Sequence, residues 1–185
     1  MGTRYRLPFM VALLALSAQA TAQQSPDPAA DLPPAEDACL AAVRDRAPEA
    51  ERTCSDLIAG LRYDGAATGP GSEALAAALG NRALARMRSG ELEGAEADFS
   101  EALALAPDAW AIHLNRATLA LMSGDAAAAL NYLGRVRQLA SSEPAALAAA
   151  DRNSILAWRM LGNLDAASAL SRERPVHAAP ARPPG

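Results

Sequence analysis

Three asparagines share one frame. In GNRALARMRSG (80–90), LNRATLALMSG (114–124) and RNSILAWRMLG (152–162), an Asn stands nine residues before a Gly, with an apolar, Ala-containing run between them. A side-chain amide carries both a donor and an acceptor, so a row of Asn81, Asn115 and Asn153 can hydrogen-bond the backbone of an extended peptide whatever its side chains. The competing use of each amide is a local hydrogen bond or plain solvation.

No other residue set is arranged for chemistry on a substrate. The sequence offers no Ser, His and Asp set, no Cys and His pair and no metal-ligand cluster, and GPGS at 69–72 is a Gly-rich connector without a P-loop Lys. The two histidines, His113 and His177, lie far along the chain from the cysteines. Neither catalytic residue nor cofactor nor metal site is expected. Net charge is −4, and losing Arg4 and Arg6 with a cleaved leader takes it to −6. Nucleic acid would then need a basic patch against the overall field, and none is visible.

The N-terminus reads as an export signal. Arg4 and Arg6 precede an apolar run from Phe9 to Leu16, and the small residues Ala18-Gln19-Ala20 or Ala20-Thr21-Ala22 follow. A signal peptide over 1–22 is expected, with cleavage after Ala22 and a periplasmic or secreted mature chain. The run is too short for the roughly 20 residues that span a bilayer, so no membrane span is expected. Export changes the reading of Cys39 and Cys54, the two cysteines of the chain. In an oxidising compartment an even pair is expected to form a disulfide, and a loop of this length stabilises by about 3 kcal/mol in the chain-entropy model. Two buried free thiols are the other reading.

The elements that must position these residues are helices. Ala is abundant and aromatics make up 4% of the chain, which favours helices in close approach over a sheet of bulky side chains. Helical runs are expected over 36–46, 49–61, 73–89, 92–106, 108–123, 126–140, 143–161 and 164–173, with Ser72 available as a cap. Gly90, Gly124 and Gly162 end alternate runs, where a left-handed residue closes a helix. Residues 23–34 read as a flexible leader and 174–185, rich in Pro, as a disordered tail.

The spacing repeats. Asn81 to Asn115, Ala83 to Ala117, Gly90 to Gly124 and Ala95 to Ala129 are each 34 residues, while Asn115 to Asn153 is 38. The four extra residues are expected around Ser141 to Pro144. With Ala83, Gly90, Ala95, Phe99, Ala102 and Pro107 at their intervals, the chain resembles the tetratricopeptide repeat. The second copy has Leu133 for the aromatic, and the third has Ile155 and Ser171 at the small and aromatic positions. AERTCSDLIAG (50–60) reads against AEADFSEALAL (95–105), with Cys54 in the place of Phe99.

That resemblance implies an all-α fold, a right-handed α-solenoid of stacked antiparallel helix pairs with about four hairpins over 35–173. These are a divergent pair at 35–62, pinned by a Cys39–Cys54 disulfide, and repeats at about 76–109, 110–143 and 148–173. Such stacks curve, with the first helix of each pair lining the concave side. The groove residues implied are Asn81, Leu84 and Arg88, then Asn115, Thr118 and Met122, then Asn153, Leu156 and Met160. Ala77, Ala111 and Ala149 continue these stripes, and His113 falls on the packed side. A protein or peptide partner in this groove is expected, and the oligomeric state is left open. A folded partner on the convex face or on the C-terminal hairpin, in an envelope assembly, is the alternative.

Overall fold

The computed structural model describes residues 35–66 and 71–173. The expected signal peptide, leader and tail, and part of the Gly-rich connector, lie outside the described residues. Eight α-helices and no strand occur among the described residues: α1 (Ala35–Arg44), α2 (Ala50–Tyr63), α3 (Ser72–Ser89), α4 (Leu92–Leu105), α5 (Trp110–Met122), α6 (Ala126–Leu139), α7 (Pro144–Met160) and α8 (Leu164–Glu173).

Three hairpins turn in the same way. Gly90, Gly124 and Gly162 have φ of 87°, 82° and 74°, a region that costs glycine no steric clash. Behind each of them the chain closes the same two bonds. Glu91 N donates to Arg86 O, Asp125 N to Ala120 O and Asn163 N to Trp158 O, at 2.9, 2.8 and 2.9 Å, while each Gly N–H reaches a carbonyl three residues back. This is the Schellman closure, which satisfies helix-end carbonyls and reverses the chain within a few residues. The next helix then starts on a cap in two cases: Asp125 Oδ1 accepts from Ala128 N, and Asn163 Oδ1 from Ala166 N. In the turn between α1 and α2, which lacks a Gly, Arg46 takes the left-handed conformation at φ 57°.

Packing runs from neighbour to neighbour along the chain. Each helix packs on the next in sequence, and α1 meets α3, α3 meets α5 and α5 meets α7. The even-numbered helices form no comparable row. First helices in mutual contact with second helices splayed behind them make a curved stack with α1, α3, α5 and α7 inside. The fold is therefore the expected all-α solenoid of antiparallel pairs.

The core is spread along the array rather than gathered at a centre. Phe99 of α4 is fully buried among Leu75, Leu79, Ala83 and Ala102, and Leu133 of α6 holds the equivalent place beside Ala117 and Ala150. In the first pair that place belongs to Cys54, bonded to Cys39 with Cα atoms 4.8 Å apart. The bridge, Val43 and Ala50 are all buried, so the disulfide is the core of this hairpin.

Two local expectations change. Ser72 is the first residue of α3, and the preceding Gly71 makes no side-chain cap bond, so Ser72 does not cap the helix. The four extra residues of the third copy extend α7 rather than the junction before it: α7 has 17 residues against 13 in α5, and the linkers 106–109 and 140–143 are equal in length. A turn takes about 3.6 residues, so the insertion adds one turn and keeps Asn153 on the side that faces α5.

Candidate functional site

The inner helices enclose a cleft of about 730 Å³ between α1, α3 and α5. Its floor consists of small or aliphatic residues, with Ala76, Ala77 and Gly80 from α3, Ala111 and Ile112 from α5, and Leu40 from α1 on one side. Asn81 and Asn115 both line it. Their amides are half-buried and make no hydrogen bond among the described residues. Each can therefore give two donors and an acceptor to something else.

The other expected groove residues fall elsewhere. Asn153 donates from Nδ2 to Thr118 Oγ1 at 3.2 Å, and Thr118 in turn donates to Leu114 O at 3.1 Å. Those two side chains tie α7 to α5. Met122, Leu156 and Met160 are 54%, 48% and 44% exposed and form an apolar strip towards the C-terminal ends of α5 and α7. Leu84 is half-buried and packs against both the Phe99 core and the disulfide core. Arg88 lies at the other end of α3, where Nη1 donates to the Val43 carbonyl and holds the last turn of α1. Six of the nine residues thus occupy three places, an amide-lined cleft, an apolar strip and an arginine latch, while Asn153 and Thr118 tie α5 to α7 and Leu84 packs on the core.

His113 is buried, with Nε2 2.8 Å from Pro107 O and Nδ1 without a hydrogen-bond partner among the described residues. Its ring lies tilted against Tyr132, with centroids 6.4 Å apart. No cluster of His, Cys, Asp or Glu among the described residues is arranged to hold a metal.

A polar seam behind the cleft went unread in the sequence. Arg82 forks onto Asp98 and also donates to Ser55 Oγ of the preceding hairpin, at 3.3 Å. The same arginine position one repeat on, Arg116, donates to Glu96 and to Ser100 Oγ, the latter at 3.0 Å, and its guanidinium sits 4.8 Å from the Tyr132 ring centroid. Asp98 and Tyr132 are themselves one repeat apart, so an ion pair in one hairpin is replaced by a cation–π contact in the next. Arg86 adds bonds from Nη1 to Asp98 and from Nε to Glu51, both 2.9 Å. Hydrogen bonding to Asp98 holds the Arg82 guanidinium above its ordinary pKa, against the opposing effect of burial. Between the second and third copies, Arg137 of α6 donates to Asp151 and Ser154 of α7. The signal was the Asn-Arg dipeptide at 81–82 and 115–116: the Asn faces the cleft and the adjacent Arg faces the seam.

The lining of the cleft also contains residues that the repeat pattern does not mark. Leu40 comes from the divergent hairpin, and Glu73 and Asp108 stand at the starts of α3 and α5. Asp108 pairs with Arg135 at 3.2 Å in an exposed contact, while Glu73 makes no ion pair among the described residues.

The tetratricopeptide repeat family model matches residues 76–109, from the second turn of α3 through α4. No curated protein matches the chain. A tetratricopeptide repeat supports a role in protein–protein interaction, with protein as the class of partner. None of the described helices is long and apolar enough to cross a membrane.

Proposed function

We propose that this tetratricopeptide-repeat chain is a periplasmic adaptor that lays an extended segment of a partner protein along its inner face, with Asn81 and Asn115 bonding the segment's backbone. One observation carries the proposal: two half-buried amides from successive repeats line the same cleft without a hydrogen-bond partner among the described residues. Amides that served packing would be bonded within the fold, as Asn153 is. The apolar strip of Met122, Leu156 and Met160 continues the inner face and offers adaptable contacts to side chains. The role is binding rather than catalysis.

The periplasmic assignment rests on the N-terminal signal pattern and is supported by the Cys39–Cys54 bridge. Mass spectrometry of the exported chain tests it, with a mature N-terminus at Gln23 as the expected result. Replacing Asn81 and Asn115 together by Ala tests the groove: peptide capture falls while the helical signal and melting temperature hold.

Leu161 and Leu164, 49% and 63% exposed at the α7–α8 turn, favour a second reading. In it, the C-terminal hairpin docks a folded partner in an envelope assembly. Leu161→Ser with Leu164→Ser would then abolish the interaction, and the Asn81 and Asn115 changes would not.

A further inference from the structure

We infer that the segment accepted by the α1/α3/α5 cleft is basic as well as apolar, with a Lys or Arg beside an aliphatic side chain; this rests on the groove reading above. The floor explains the aliphatic part. Leu40, Ala76, Ala77 and Ile112 offer no hydrogen bond from their side chains, and Gly80 leaves room: a Cβ added there would lie 3.5 Å from Ile112 Cγ1. Burying an aliphatic group against such a floor is favourable by roughly 25 cal/mol per Å² of apolar surface removed from water.

The rim explains the charge. Among the described residues, the ionisable ones lining the cleft are Glu73 and Asp108, both acidic, and no Arg or His lines it. Arg135 pairs with Asp108 but is absent from the lining, and Glu73 is left without an ion-pair partner among the described residues. The starts of α3 and α5 oppose this sign, since a helix N-terminus carries about half a positive charge. At the α5 start Arg135 offsets Asp108, but at the α3 start the full carboxylate of Glu73 outweighs the half charge of the helix, so the negative charge of the rim is centred on Glu73. The field of the whole chain, at net charge −4, has the same sign. A cationic side chain gains beside Glu73, and an acidic segment meets that carboxylate while its apolar neighbour tries to seat. An exposed charge pair contributes about two- to fivefold in Kd, so the rim sets preference among segments and the amides and floor supply the grip.

The test is selection of a random heptapeptide library, displayed on phage, against the full mature chain with its disulfide formed. Parallel selections use Glu73→Lys/Asp108→Lys and Asn81→Ala/Asn115→Ala. The expected pool is enriched in Lys or Arg next to Leu, Ile or Val. A peptide from that pool, titrated by fluorescence anisotropy, should bind the charge-reversed chain at least tenfold more weakly, and the charge-reversed chain should itself enrich acidic peptides. A pool enriched in Asp and Glu, or one with no charge bias, overturns the inference and leaves the groove reading in place. Enrichment that survives in the asparagine double variant, or no enrichment at all, removes the groove reading and the inference with it. Self-association of the mature chain in light scattering, abolished by the charge reversal, would put a second copy in the cleft and overturn the assignment to another protein.

Discussion

Arg82 and Asp98 meet as a fork, with Nε to Oδ2 at 2.9 Å and Nη2 to Oδ1 at 2.7 Å, and their side chains are only 14% and 4% exposed. The pair joins α3 to α4 directly behind the cleft, and Arg86 adds a third bond to the same carboxylate. A paired buried charge is not strongly stabilising in itself, but removing one partner strands the other in a poorly solvated place. Asp98→Ala is therefore expected to destabilise by about 3 kcal/mol or more, read as a lower midpoint in urea unfolding. A loss under about 1 kcal/mol would mean that the two arginines find water or other acceptors once Asp98 is gone.

The α1–α2 turn does with Arg46 what the other hairpins do with Gly. A left-handed residue with a Cβ carries a cost of roughly 1 kcal/mol, part of which glycine returns to the unfolded chain as entropy. Arg46→Gly should stabilise by up to about 0.5 kcal/mol, checked by thermal melting of the oxidised protein. A clear loss of stability would show that the Arg46 side chain makes a contact worth more than the backbone strain.

The disulfide holds α1, and α1 carries Leu40 into the cleft one residue after Cys39. Replacing both cysteines by Ser should cost about 3 kcal/mol and should speed amide exchange in α1 ahead of α5 and α6. Uniform exchange throughout the array would show that Arg88 on the Val43 carbonyl suffices to hold the helix.

Gly80 sits inside α3, where glycine is about 0.8–1 kcal/mol less favourable than alanine. The nearest atom to an added Cβ is Ile112 Cγ1 at 3.5 Å, an ordinary contact. Gly80→Ala is expected to stabilise by about 0.5–1 kcal/mol, while Gly80→Leu should fill the cleft and block a bound segment. Unfolding curves and peptide titration of the two variants separate these effects. If Gly80→Leu binds as the parent does, the segment lies elsewhere.

Much of the architecture was legible because the repeat places special residues at fixed intervals. Gly90, Gly124 and Gly162 mark turns whose left-handed backbone the structure contains, and the 34-residue spacing foretells which helices are neighbours. The 38-residue step was misplaced because a period says how many residues intervene and not which element absorbs them; a full helical turn inside α7 leaves the apolar pattern unbroken. Site residues were less legible. A stripe along one helix treats Asn81 and Arg88 as equals, but the divergent α1–α2 hairpin covers one end of α3 and supplies an acceptor to Arg88. Asn153 met a hydroxyl, Thr118, that its counterparts lack. Arg82 and Asp98 lie 16 residues apart on facing helices, a relation that only the packing of α3 on α4 reveals.

The most direct test of the central claim is the Kd of a selected peptide for the parent, for Asn81→Ala/Asn115→Ala, and for Asn153→Ala. Two backbone hydrogen bonds at about 1 kcal/mol each predict a loss of roughly thirtyfold in the double variant with an unchanged unfolding midpoint. Asn153→Ala should bind within about threefold of the parent, because its amide is already held by Thr118. A double variant that binds as tightly as the parent, or that loses binding only by unfolding, would contradict the claim that the free amides of α3 and α5 hold the partner.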